Sequence, residues 1–250
     1  MALVGANDQT STSSGSSATL TIAPLANFPS DSVIVVVFAV DNSGTSGANP
    51  FQNITDTPGN TWYYPVNQLR TPGSAANDGT VLVMAYSYMD VRPLITSDSI
   101  VAHFSPNINP RPFAVHKITS DIPGASIVFV TSGSTVGAGN STITTGTIPI
   151  GDMVIGASAD EYGTAQTPTH DSDSTNGSWS TAMYQEVGTT GAGQNIATQR
   201  KVQTTTPSTQ TYNVSYGTSS DWAIGWLQFH ELEPVSTPRQ KQRFLQLMPH

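Results

Sequence analysis

The sequence predicts an all-β fold: a duplicated antiparallel β-sandwich, jelly-roll or Ig-like, followed by a short helical or extended C-terminal tail. Three observations predict it. Ser and Thr make up about a quarter of the 250 residues and charged residues only 10%, against about 25% in ordinary domains. That composition favours strands and turns over helices. Turn signals such as PGN, GSAANDG, TNG and TTGAGQN separate short apolar runs, the rhythm of a sandwich or jelly roll. Finally, one phrase is written twice: DTPGNTW at 56–62 returns as DSTNGSW at 173–179.

The elements follow in order. MALVGANDQTSTSSGSS opens with a short apolar stretch and a Ser/Thr/Gly-rich run, either a frayed arm or an edge strand. ATLTIAP (18–24) alternates Thr with aliphatic residues, as STITTGTIP (141–149) does later. SDSVIVVVFAVDNSGT (30–45) is an apolar strand after an acid, matched by GDMVIGASADEYGT (151–164). Because Val33–Val40 is apolar without a break, it reads as a central strand buried on both faces. The repeated phrase is a turn. Gly and Asn supply positive φ, Asp56 and Asp173 cap backbone donors, and Trp62 and Trp179 then bury their rings. TWYYPV (61–66) corresponds to SWSTAMYQEV (178–187), and TVLVMAYSYM (80–89) to IATQRKVQT (196–204). In TVLVMAYSYM, Leu82, Met84, Tyr86 and Tyr88 share one face and Val81, Val83 and Ala85 the other. SIVAHFS (99–105) matches TYNVSYG (211–217), and PFAVHKI (112–118) matches WAIGWLQF (222–229). The spacing shrinks smoothly, from 121 between Asp31 and Asp152 to 109 between Phe113 and Trp222, as loop-length changes after a duplication produce. The predicted organisation is an N-terminal arm (1–16), repeat 1 (17–125), repeat 2 (126–233) and a basic C-terminal docking tail (234–250).

Composition excludes several function classes. A net charge of −8 opposes nucleic-acid binding. With no cysteine, neither disulfides nor thiolate chemistry are available. Val33–Val40 is too short to span a bilayer, so no membrane insertion is expected. Residues 1–16 lack the plan of a signal peptide. The expectation is a chain made in a host cytoplasm that stays there or leaves inside a larger particle.

The strand after an acid (SDSVIVVV), the DTPGNTW turn, GDMVIGASA and the closing SSDWAIGWLQF together resemble a modular β-sandwich type found in tailed-bacteriophage structural proteins. Minor tail and tail-tip proteins are the main examples, and some bacterial surface proteins share it. The resemblance spans roughly residues 17–232. It implies a non-enzymatic virion protein that assembles with other virion subunits and with itself as a symmetric oligomer, and that contacts a host-surface glycan. It carries over no catalytic residue and no cofactor. Two alternatives stand beside it: a carbohydrate-binding module with Trp62, Tyr63 and Tyr64 as its platform, and a capsid decoration protein.

A search for chemistry finds little. Of His103, His116, His170, His230 and His250, the first two sit inside strands, where a satisfied imidazole is the plain reading. GSTVGAGNS (133–141) resembles a phosphate loop but lacks its lysine, and reads as a flexible linker between the repeats. HDSDSTNG (170–177) gives Asp171 and Asp173 the alternate spacing of a calcium loop, with Asp160 and Glu161 within reach. The twelfth position is Ala182, however, so the bidentate acid is missing and turn capping is preferred. The sequons at Asn53, Asn140, Asn176 and Asn213 carry no weight without a secretory route. No pair of acids stands out for glycan hydrolysis.

The tail, PVSTPRQKQRFLQLMPH (234–250), holds three of the nine basic residues and no acid. Thr237 and Pro238 form a helix start, which places Phe244, Leu245 and Met248 on one face. Yet Arg239, Lys241 and Arg243 oppose the helix dipole in the first turns, and so short a helix does not persist alone. Either this end is disordered or a partner supplies an apolar groove and acids. The predicted docking residues are therefore Arg239, Lys241, Arg243, Phe244, Leu245 and Met248.

Overall fold

A computed structural model describes residues 3–41, 49–70, 79–108, 111–162, 167–188, 193–216 and 221–234, and every regular element among them is a β-strand. The first repeat comprises Leu3–Ser13 (β1), Ser17–Ile22 (β2), Val33–Asp41 (β3), Phe51–Asp56 (β4), Tyr63–Arg70 (β5), Thr80–Ser87 (β6), Ile100–Ile108 (β7) and Arg111–Ser120 (β8). The second comprises Ser126–Ala138 (β9), Ser141–Ile148 (β10), Met153–Tyr162 (β11), Met183–Val187 (β12), Gly193–Val202 (β13), Ser208–Val214 (β14) and Asp221–Leu232 (β15). The docking residues of the tail lie outside the described residues.

Four antiparallel sheets form, in the orders β1-β8-β3-β6-β5, β2-β7-β4, β12-β13-β11-β15-β9 and β10-β14. In repeat 1 the pairs β1–β8, β2–β7 and β3–β6 are nested, so the chain is one long hairpin rolled onto itself. Repeat 2 repeats the nesting with β9–β15, β10–β14 and β11–β13. Of the two predicted topologies, this is the jelly roll.

Three cores separate the four sheets. Ile34, Val36, Phe38 and Val40 of β3 join Leu20, Ile54, Ala102 and Phe104 inside the first roll. Ile148, Val154, Tyr212, Val214, Trp222 and Trp226 fill the second. The third core lies between the two five-stranded sheets, where Val33, Val35, Val37 and Ala39 meet Met153, Ile155, Ala157 and Ala159. Hence the unbroken apolar run of β3, which is buried along its whole length. One face packs inside its own roll and the other against the second roll. β6 divides as its alternation predicts, with Leu82, Met84 and Tyr86 in the shared core and Val81, Val83 and Ala85 in the first roll.

Several expectations need correction. The GSTVGAGNS segment is no linker: residues 133–138 belong to β9, which pairs with β15. Its glycines make room for tryptophans. Gly133 is the cross-strand partner of Trp226 and Gly137 of Trp222, and a Cβ at either would lie 2.6 or 2.4 Å from the indole. Leu3–Ser13 is an edge strand and the first strand of its roll, in the place β9 holds in the second. The repeat register also shifts by one. Ser32 donates its N–H to Pro29 O as Asp152 does to Pro149 O, so Asp152 corresponds to Ser32, not Asp31. An alignment slipped by one would send each inward face outward.

Buried Arg111 ties the β1–β2 connection to β8. Its guanidinium donates to the carbonyl oxygens of Ser17 (3.1 Å), Thr19 (2.7 Å) and Gly15, and to Ser13 Oγ (2.9 Å). Arg111→Met keeps the stem but leaves those acceptors unpaired. The expected cost is about 2 kcal/mol, read by urea unfolding, with limited proteolysis moving to residues 13–19. Unchanged stability would remove this role from Arg111.

Candidate functional site

The repeated turn is settled by its hydrogen bonds. Asp56 accepts from the N–H groups of Gly59 (2.7 Å) and Asn60 (2.8 Å), from Asn60 Nδ2 (3.0 Å) and from the Trp62 indole (3.2 Å). In the second copy Asp173 accepts from the N–H of Thr175 (3.0 Å) and from Lys201 Nζ (2.6 Å). That ammonium also lies 5.7 Å from the centre of the Trp179 ring. Both tryptophans are buried, one in each roll. The ion pair with Lys201 and the Thr175 N–H hold the Asp173 carboxyl at about 2, below the usual carboxylate range.

The same geometry gives the two aspartates of the calcium-like spacing protein partners. Asp171 accepts from the N–H groups of Asp173 (2.8 Å) and Asn213 (2.9 Å), and Asp173 already holds a cation, Lys201. No cluster of metal-ligating residues occurs among the described residues. Asp160 is buried and receives Asn195 Nδ2 at 3.3 Å, while Glu161 accepts the Gly79 N–H. These acids fasten the structure together.

The aromatic triplet does not form a platform. Trp62 is buried; Tyr64 exchanges hydrogen bonds with the backbone of Ile54 and packs edge-on against Phe51. Tyr63 points to the opposite face and stacks on Tyr86, with ring centroids 5.0 Å apart. His103 contacts Thr55 Oγ1 at 3.0 Å, a satisfied strand residue as read. Fully buried His116, in contrast, has Nε2 2.9 Å from Thr198 Oγ1 and its Nδ1 without a partner among the described residues. His170 packs against Tyr184, and His250 lies outside the described residues.

What the sequence did not single out is a cleft at the end of β15, lined by Ile150, Gly151, His230, Glu231, Leu232 and Glu233. The turn before β11 places buried Asp152 beside it. Gln228 and His230, two apart on β15, point to the same face and both reach that carboxylate. Gln228 Nε2 donates to Oδ2 and His230 Nδ1 meets Oδ1, each at 2.5 Å. An ionised carboxylate only accepts, so Nδ1 carries the proton and Nε2 is left as the ring's second polar atom. Such a pair is also the orienting half of a nucleophilic triad. The described lining residues bring no hydroxyl or thiol to it, and the arrangement instead fixes an imidazole in an acidic, apolar recess. Ile150 and Leu232 are about half exposed, at 51% and 46%. Repeat 1 has Ser32 in the place of Asp152, with its hydroxyl turned to Pro29 O. An acid replacing a hydroxyl in a duplicated turn was the available signal; its partner His230 lies 78 positions away.

The chain matches no protein-family model, no curated protein and no solved structure at a significant level.

Proposed function

We propose that the protein is a non-enzymatic structural subunit of a tailed-phage virion, a minor tail or tail-tip protein that assembles with other virion subunits and meets the host surface. The observation that carries the reading is the fusion of two jelly rolls through a shared sheet-to-sheet core. Jelly rolls serve as viral shell modules and as lectins. Fold alone does not assign a role, but the use of the charged groups points the same way. Asp56, Asp173 and Asp98 fasten turns, the last through a two-pronged contact with Arg92 at 2.7 Å. Rigid loops on a doubled sandwich suit a building block. The basic, acid-free sequence of residues 234–250 supplies a contact for an acidic neighbour.

The test is direct: antibody-gold labelling of purified particles, with a chain lacking residues 237–250 as comparison. Expected are label at the tail and, for the truncated chain, an unchanged melting temperature with loss of incorporation. Absence of the intact protein from particles overturns the reading; normal incorporation of the truncated chain removes the docking role of the tail.

A further inference from the structure

The geometry points to an occupant for the cleft at the end of β15: the basic, apolar C-terminal segment of a second copy of this chain. The inference rests on the reading of the protein as an assembling subunit and adds the acceptor surface to it. Three observations carry it.

The first is chemical match. The cleft offers two half-exposed aliphatic side chains, Ile150 and Leu232, beside Glu233, while the Glu231 carboxylate accepts the Ser120 hydroxyl. The segment beyond Pro234 carries Arg239, Lys241 and Arg243, then Phe244, Leu245 and Met248, with no acid. The two patterns are complementary in charge and in apolar content, while the body is acidic. The second is asymmetry. The equivalent turn of repeat 1 lines a recess of its own, but it has Ser32 where the cleft has Asp152 and so lacks the carboxylate–imidazole brace. Of these two recesses, the one beside Asp152 carries the half-exposed Ile150 and Leu232, whereas Val33, Ala125 and Ile127 of the other are buried. The third is direction. Pro234 lies against Gly124, in the connection between β8 and β9. The chain thus leaves β15 on its β9 side, whereas Ile150 and Gly151 flank β15 on its β11 side. Pro234, the last described residue, therefore sits across β15 from Ile150 and Gly151, which favours occupancy between copies.

Such a contact joins unlike surfaces, so it closes as a reciprocal pair or a ring, or propagates as an open filament. Its ionic part is screened by salt, and its apolar part fills a recess that water otherwise occupies.

The test uses three full-length chains in analytical ultracentrifugation: the wild type, a cleft variant (Ile150→Lys with Leu232→Lys) and a tail variant (Arg239→Glu, Lys241→Glu and Arg243→Glu). The cleft substitutions replace exposed side chains, and equal melting temperatures confirm intact folds. The wild type is expected to self-associate, less so at high salt. Each variant alone should associate at least about tenfold more weakly. Their equimolar mixture should form mixed complexes, because one chain brings an intact tail and the other an intact cleft. A monomeric wild type, a cleft variant that associates like the wild type, or variants that fail to complement each overturn the proposal. A monomeric wild type still found in particles removes only this acceptor. A chain absent from particles removes the functional reading, whatever the cleft does.

Discussion

Gly156→Val is expected to destabilise the protein by about 3 kcal/mol, lowering the melting temperature by roughly 10 °C. Gly156 lies on β11 directly under the ring of Tyr212, and a Cβ there would stand 2.5 Å from Tyr212 Cγ. The ring has nowhere to go. It is fully buried, its hydroxyl donates to Ala197 O at 3.2 Å, and it packs 4.9 Å from the Trp179 ring. Displacing it strains the core of the second roll and breaks that hydrogen bond together. Tyr212→Leu should relieve much of the clash, so the double variant should lose less than the sum of the single losses. Urea unfolding of the four chains measures this. A loss below about 1 kcal/mol for Gly156→Val, or strict additivity, would show that the glycine is not there to admit the ring.

The second large effect is expected on acidification. His116 sits on β8 in the shared core, fully buried, with Nε2 2.9 Å from Thr198 Oγ1 on β13. Thr198 spends its own proton on Gly156 O at 2.7 Å. Its oxygen therefore accepts from the imidazole, which fixes the tautomer with the proton on Nε2. Nδ1 finds no hydrogen-bond partner among the described residues. Burial, and then the charge of Arg200, push the His116 pKa down from 6.5 to about 3. Because the folded state refuses a proton that the unfolded chain accepts, the stability is complete above pH 6.5. It falls as the pH drops from 6.5 towards 3, by about 1.4 kcal/mol per pH unit. Over that window the loss is roughly 4 kcal/mol. The depressed Asp173 carboxyl adds a loss of the same sign below its unfolded value of 3.8. Denaturant midpoints for wild type and His116→Leu between pH 7 and 4 test the assignment. The leucine chain should show a much flatter profile; parallel profiles would place the acid sensitivity elsewhere.

Local features were legible because they depend on nearest neighbours. Asp56 and Asp173 cap their turns as their positions beside Gly and Asn suggest, and Trp62 and Trp179 bury rings in matching rolls. The alternation of Leu82, Met84 and Tyr86 against Val81, Val83 and Ala85 assigned both faces of β6 correctly. Gly133 and Gly137 were misread as linker residues because glycine that admits a ring is indistinguishable, in sequence, from glycine that frees a turn. Their role depends on Trp222 and Trp226, about 90 residues on, and on a pairing register that no local pattern states.

By itself the sequence determined that the chain is all-β, that it is written twice, and that β3 is buried on both sides. Composition, turn chemistry and apolar period are short-range properties of the chain, and these conclusions need nothing more. Only the tertiary structure decided what covers the second face of β3. The apolar run states a demand for two partners, and the second partner is the other repeat, which makes four layers out of two sandwiches. It likewise decided the one-residue correction to the repeat alignment, and the meeting of Asp152 with His230 beside a half-apolar acidic cleft. Those outcomes turn on which distant strands lie side by side and in what register, a matter of packing free energy summed over the whole molecule.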